Sequence, residues 1–474
     1  MGFSSNVFLF LFLPLFLATY YLTPNRGRLR NWVVLLGSYI FYAWWRVDFL
    51  LLFAAVTVFN YLVGRKIGEH GRGQPRALHW LRLGVVVDLA VLGYFKYANF
   101  GVASFNEAMA GFGFAPFQMA HVLLPIGISF YLFESISYIM DVHRGDAEPA
   151  RHPVDFATFV SLFPHLIVGP IFRYKDLANQ FDGRTHTVEK FAEGCTRFMQ
   201  GFVKKVFIAD TLAPLANHCF ALAHPSTAES WLGALSYAAQ LYFDFSGYSD
   251  MAIGLGLMMG FRFIENFNHP LLSQSNTEFW RRWHISLSTW LRDYVYYALG
   301  GNRFGPVRTY FNVFMTFLLG GMWHGANWTY FAWGTLQGSL ICIERVAGVS
   351  GRSTTFRLHR WLPAFLCVMI SMVIFRADTV GSAFRMYDAM FIHVDAGGLG
   401  PSILARISHL QIATLALAYA LVLLEGLREF GPKLQLGSAT FRERSAIFLL
   451  VPMFLVSVLK LSAQGYTAFL YFQF

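Results

Sequence analysis

Apolar residues in this chain come in long runs rather than in alternation, and the runs recur from end to end. Spans near 6–22, 31–45, 47–63 and 81–97 open the sequence, and spans near 361–376, 409–427 and 445–462 close it. Several reach the roughly 17–25 residues an α-helix needs to cross a bilayer, so the elements predicted are transmembrane helices. The middle, 120–345, is more broken. The run 153–172 carries Pro164 and Gly169-Pro170 and is flanked by His143, Arg144 and Arg151 on one side and by Arg173 and Lys175 on the other. Such a run is expected to enter and leave on one face, which a membrane tolerates only where protein or water satisfies the broken backbone. The pattern predicts an all-α, polytopic membrane protein with about twelve crossings. It forms a single transmembrane domain, divided into N-terminal spans (1–97), a core (120–345), C-terminal spans (346–462) and an aromatic tail (463–474).

Composition sharpens this reading. At 55% hydrophobic and 14% charged residues the chain has more apolar surface than a soluble domain can hide, and 18% aromatic residues exclude disorder. The net charge of +10 sits in loops, so it reads as the positive-inside bias of membrane spans and not as a nucleic-acid stripe. Loops with Arg26, Arg28 and Arg30, and with Arg65, Lys66, Arg72, Arg76 and Arg82, belong in the cytoplasm. So do Arg345, Arg352, Arg357 and Arg360, and then Arg428, Lys433, Arg442 and Arg444. Both termini are then periplasmic, in a bacterial inner membrane. The N-terminal run lacks a basic n-region and a small-residue cleavage site, and is expected to be a retained span. Cys195, Cys219, Cys342 and Cys367 are scattered and read as small buried hydrophobes.

Against this background a few polar residues stand out. His324 is the one ionisable residue of Tyr310–Trp333 and lies roughly 20 Å of helix beyond Arg308. Polar groups at that depth face a protein interior or a wet cavity and are functional by default; the alternative is a core histidine satisfied by a carbonyl. His284 follows Ser275 and Glu278, which form a capping-box pattern. The period predicts one amphipathic helix with Trp280, Trp283, His284, Leu287 and Leu291 on its inner face, either an active element or an interface anchor. Arg281, Arg282 and Arg292 suit an anionic donor such as coenzyme A; the alternative is that they meet only lipid phosphate. The segment Gln240–Asp250 places Asp244, Tyr248, Ser249 and Asp250 at membrane depth, as a cavity wall or as interhelical hydrogen bonds. Asp244 is a candidate to orient a histidine. There is no nucleophile elbow, phosphate loop or HExxH, and no metal is expected.

Five segments carry a resemblance: LLPIGISFYLFESISYIMDV (123–142), LFPHLIVGPIFRY (162–174), QLYFDFSGYSDMAIGLG (240–256), EFWRRWHISLSTWLRDYVY (278–296) and GGMWHGANW (320–328). In these the chain resembles the membrane-bound O-acyltransferases, and within them the bacterial alginate O-acetylase branch. The resemblance implies a ring of helices with re-entrant and interfacial pieces around a thinned central funnel. It implies His324 as the catalytic residue and His284 as the second functional histidine. It extends the donor-binding candidates to Arg281, Arg282, Trp283, Trp323 and Asn327, and the cavity candidates to His165. It further implies acetyl-CoA as donor, a periplasmic partner of the SGNH-hydrolase type within a polysaccharide synthesis and export complex, and alginate, cellulose or peptidoglycan as the polymer. The tail FLYFQF (469–474) looks like the branch's C-terminal aromatic motif, in which Tyr471 would relay the acyl group; the alternative is an interface anchor. Two other classes, a polysaccharide or lipid transporter and a non-catalytic scaffold, would also show many spans and buried polar residues.

Overall fold

Proline, glycine and polar side chains decide where the helices of this chain start and stop. In the computed structural model every regular element among the described residues is helical. The structure describes residues 1–349, 355–395, 397–430 and 439–464, with side chains left aside over 439–447 and at 464. The expected relay residue Tyr471, the anchors Arg352 and Lys433, and the side chains of Arg442 and Arg444 lie outside the described residues.

The chain sorts into two units. The first comprises Met1–Gly194 with Leu255–Ile264. It holds α1 (Leu13–Leu22), α2 (Leu29–Ala43), α3 (Asp48–His70), α4 (Pro75–Ala110), α5 (Ile128–Arg144), α6 (Pro153–Ser161) and α7 (Phe163–Leu166). Helix α3 begins at Asp48, whose carboxylate favours the positive helix end, and stops where Gly71 turns to φ 77°. Pro75 opens α4, whose missing donor does no harm in a first turn. The run 153–172 is broken at Leu162 between α6 and α7. Pro164 follows two residues on, and the amide of Phe163 donates to Ser38 Oγ of α2 at 3.1 Å. A side chain thus satisfies the interrupted backbone, as a membrane interior demands.

The second unit comprises Cys195–Gly254 with Glu265–Phe474. It contains α8 (Thr227–Met258, through Gly254), α9 (Asn276–Arg282), α10 (Ile285–Trp290), α11 (Gly305–His324), α12 (Trp328–Val346), α13 (Leu358–Arg376), α14 (His409–Phe430) and α15 (Ala439–Gln464). Helices α11 and α12 form an antiparallel hairpin that packs backbone on backbone. A Cβ placed on Gly321 would lie 2.5 Å from the Tyr330 carbonyl oxygen and 2.8 Å from Cα of Gly334. One on Gly334 would meet the Phe317 carbonyl at 2.8 Å. Such small-residue contacts are how helices approach closely in lipid, where no hydrophobic gain drives them together.

Of these helices α3, α4, α13 and α14 are long and apolar enough to cross a bilayer, and Phe8–Leu22 and Phe448–Ala463 are shorter apolar helices. The protein is an all-helical membrane protein.

The hairpin contact predicts a contrast between two glycines. Gly334→Leu forces a side chain into backbone and is expected to cost upward of about 3 kcal/mol, read as a large loss of thermal stability in detergent. Gly93→Ala in α4, where a Cβ meets nothing within 4 Å, is expected to leave stability unchanged or raise it by up to about 1 kcal/mol.

Candidate active site

The stretch 275–293, predicted as one amphipathic helix, is two. Helix α9 begins under Ser275, whose hydroxyl accepts from the Glu278 amide at 3.0 Å, so the capping bond is present. The Glu278 carboxylate reaches the Gln274 amide at 3.0 Å instead of closing the box on Ser275. The helix then breaks, and His284 adopts left-handed backbone, φ 44° and ψ 54°. That region is costly for a residue with a Cβ and persists only where the surroundings impose it.

Asn266 imposes it. Its carbonyl oxygen accepts from the Ile285 amide at 2.9 Å. Its side-chain Oδ1 accepts from the Ser286 amide at 3.2 Å and the Ser286 hydroxyl at 2.9 Å, and lies 3.2 Å from His284 Nδ1. Its Nδ2 donates to Ser249 Oγ at 3.0 Å, and the Ser286 amide, which can only donate, fixes Oδ1 as the end that faces the imidazole. His284 Nδ1 must then carry the proton, leaving Nε2 as an acceptor. The imidazole is fully buried, edge-on to Phe245 at 4.6 Å, and Nε2 meets no hydrogen-bond partner among the described residues.

His324 ends α11, because Gly325 is extended and Asn327 caps the returning α12 by accepting from the Thr329 amide at 3.1 Å. It therefore sits at the tip of the hairpin. Aromatic rings surround it: Trp323 at 5.0 Å, Trp333 at 5.1 Å and Phe375 at 5.2 Å between centroids. Trp323 also lies 6.5 Å from the His284 ring and so contacts both imidazoles.

A cavity of about 470 Å³ opens onto His324. Val313, Thr316, Phe317, Gly320 and His324 line it at three- and four-residue steps, a single stripe of α11 roughly 16 Å long. Trp333, Ile341 and Arg345 line it from the antiparallel α12. The cavity thus has an aromatic end, with His324, Trp333 and Trp280, and a basic end at Arg345, with Arg281 and Arg292 also on its wall. All three arginines are exposed. Trp280 is held by its indole N–H donating to Gln337 Oε1 at 3.0 Å and by ring contacts with Trp333 and Phe317. Glu344 accepts from the Thr277 amide at 2.8 Å and so docks the start of α9 beside Arg345.

The other predicted residues fall elsewhere. Arg282, expected with Arg281 at a donor, points away from the cavity: it is 3% exposed and bonded to Glu278 and Glu429 at 2.8 and 2.7 Å. Asp244, expected to orient a histidine, instead pairs with Lys205 at 3.1 Å, because the buried ammonium needs a carboxylate more than a neutral imidazole does. Asp210 completes that triad, and the Lys205 ammonium also lies 5.7 Å above the Tyr248 ring. Asp250 binds Arg197 and Lys204, both at 2.8 Å. Trp283 packs against Phe267 and Phe279, and Gln240 is buried. Asn327 Nδ2 donates to the Asp378 carbonyl at 3.1 Å. His165 lies in the first unit, 2.8 Å from Glu134, both fully buried.

A family model for membrane-bound O-acyltransferases matches residues 45–380. The chain belongs to this family. It is 58% identical to the protein named "Probable alginate O-acetylase AlgI" from Azotobacter vinelandii and 57% identical to that of the same name from Pseudomonas aeruginosa, over the full length of each pair. It is 36% identical to the "Peptidoglycan O-acetyltransferase" of Helicobacter pylori over 82% of this chain and 79% of that one. This acyltransferase carries two residues its sequence did not mark. Asn266 has no local signal, since its role comes from a partner 18 residues away. Lys205 did have one: a lysine inside an apolar run is suspect at membrane depth.

The two adjacent arginines are predicted to separate cleanly. Arg282→Ala leaves Glu278 buried without its cation and is expected to destabilise the acyltransferase by about 3–5 kcal/mol. Arg281→Ala is expected to leave the melting temperature in place and to weaken donor binding. Thermal unfolding alongside donor titration checks both.

Proposed function

We propose that this enzyme transfers acetyl from cytoplasmic acetyl-CoA toward an exported polysaccharide, with His324 as the catalytic base. The observation that carries the reading is the cavity, which has His324 among aromatic rings at one end, Arg345 at the other, and Arg281 and Arg292 on its wall. Coenzyme A has the same polarity, phosphates at one end of a long arm and the thioester at the other. Arg345, Arg281 and Arg292 would take the phosphates, and guanidinium groups match them in shape as well as charge.

Chemically, His324 takes the proton of the acceptor hydroxyl as its oxygen attacks the thioester carbonyl. The carbon–sulfur bond breaks, the proton passes to the departing thiolate, and an ester and a free thiol result. The apolar rings exclude water, which would otherwise compete as acceptor. In this reading His284 is the second functional histidine, buried at the break between α9 and α10 with its ring and that of His324 both against Trp323. The acceptor in this reading is Tyr471, whose phenyl ester is activated for onward transfer to a periplasmic SGNH-type partner. The reading also includes an inner-membrane location, both termini periplasmic and about twelve crossings, supported by the charge pattern, and a thinned central funnel, which the family resemblance suggests.

Alginate is the favoured polymer, on the names of the full-length relatives; the Helicobacter relative supports peptidoglycan as the second reading.

Purified enzyme should release thiol from acetyl-CoA, and His324→Ala should lose at least 10²-fold of that rate, the scale of a general base. Arg345→Ala should raise KM for acetyl-CoA several-fold with little change in kcat. Mass spectrometry of the C-terminal peptide after incubation should show acetyl on Tyr471. Undiminished transfer by Tyr471→Phe would remove the relay and leave the base in place.

A further inference from the structure

In the first unit, at the end of α1, three cations gather with no carboxylate in ion-pair contact among the described residues. The guanidinium carbons of Arg30 and Arg184 lie 5.2 and 5.8 Å from the centroid of one ring, that of Tyr20. Arg30 also stands 5.6 Å over Tyr21. Lys190 is close enough that it acts with both arginines, after burial, to hold the His186 imidazole far below its ordinary range, at about 4. None of Arg30, Arg184 and Lys190 lies within salt-bridge distance of a carboxylate among the described residues. Asp155 and Asp182 both bind Arg28, and Glu193 acts on Lys190 from beyond salt-bridge distance. Arg184 donates only to neutral oxygens, those of Tyr20, Asn31 and Phe181. Two guanidinium groups sharing one ring repel each other, and Tyr20 and Tyr21 offset this only in part.

A second feature leads to the same spot. A groove of about 450 Å³ runs between α1 and α2, lined by Leu11, Leu15, Thr19, Val33, Leu36 and Ile40 among others. Its floor is the Phe16 ring, which lies over Gly37 so closely that a Cβ there would meet it at 2.6 Å. The groove is almost wholly apolar. Its upper residues, Thr19 and Val33, stand one and three positions from Tyr20 and Arg30. From Val33 to its far residue Trp44 it extends roughly 16 Å, about the half-thickness of a bilayer's hydrocarbon.

We propose that this is a binding site for one anionic phospholipid, with its phosphate between Arg30 and Arg184 and one acyl chain in the groove between α1 and α2. The headgroup supplies the missing counter-charge through charge-assisted bonds to guanidinium forks. The chain fills a slot that begins beside it. A phosphate alone would satisfy the cations and leave the slot unexplained.

The test uses the full-length protein in detergent, with phosphatidylglycerol and phosphatidylcholine of identical acyl chains, read by native mass spectrometry and thermal unfolding. Phosphatidylglycerol should bind and raise the melting temperature, and phosphatidylcholine should do so at least tenfold more weakly. Arg30→Gln and Leu36→Trp, the second of which fills the groove from an exposed position, should each weaken phosphatidylglycerol at least tenfold. Arg26→Gln, a basic neighbour outside the cluster, should change it less than twofold. Should Arg30→Gln fail to fold, Leu36→Trp decides alone. Equal effects of Arg26→Gln and Arg30→Gln would show general attraction to a basic face and overturn the site. Equal binding of both lipids would overturn it too, and so would stabilisation by inorganic phosphate that matches the lipid.

Discussion

The proposed active site hangs on one contact, the backbone-to-backbone crossing of α11 and α12 at Gly321 and Gly334. In lipid no hydrophobic gain holds two helices together, so closeness itself has to do it, through dispersion between main chains. That closeness sets the two helices antiparallel with His324 at the tip. It also aligns the stripe of α11 that ends in the imidazole with the face of α12 that ends in Arg345. A side chain at either glycine would spread the hairpin and separate the two walls of the cavity.

A second constraint completes the site from the other side. The left-handed backbone of His284 divides what would be one helix, and Asn266 holds that break by bonding to Ile285, Ser286 and the His284 ring. Trp280 and Arg281 before the break and Ser288 and Thr289 after it then face the same space. The strained backbone of His284 stands beside the proposed site, where such outliers commonly occur.

How much of this was legible depends on the reach of each interaction. The helical class, the long apolar stretch that leads up to His324, the Ser275 cap and the broken run after Pro153 all come from local chemistry, and the structure carries each; the helix end at His324 was not foreseen. The family followed from ordered motifs. What local pattern could not supply was long-range pairing. The amphipathic period of 275–293 looks continuous because the break is imposed by Asn266 from outside the segment. Arg281 and Arg282 look alike in sequence, yet Glu429, far along the chain, buries one and leaves the other on the cavity wall. Asp244 was matched to a histidine, because Lys205, the lysine that claims it, stands far from it along the chain and nothing local pairs the two.

The central claim is that the cavity between α11 and α12 receives the acyl donor with its carbonyl at His324. A cryo-EM map of the protein with a non-hydrolysable acetyl-CoA thioether would test it most directly. The account predicts the acyl end beside the His324 imidazole, among Trp280 and Trp333, with the phosphates at Arg345. Density for the analogue elsewhere, with this cavity filled only by lipid or detergent, would contradict it.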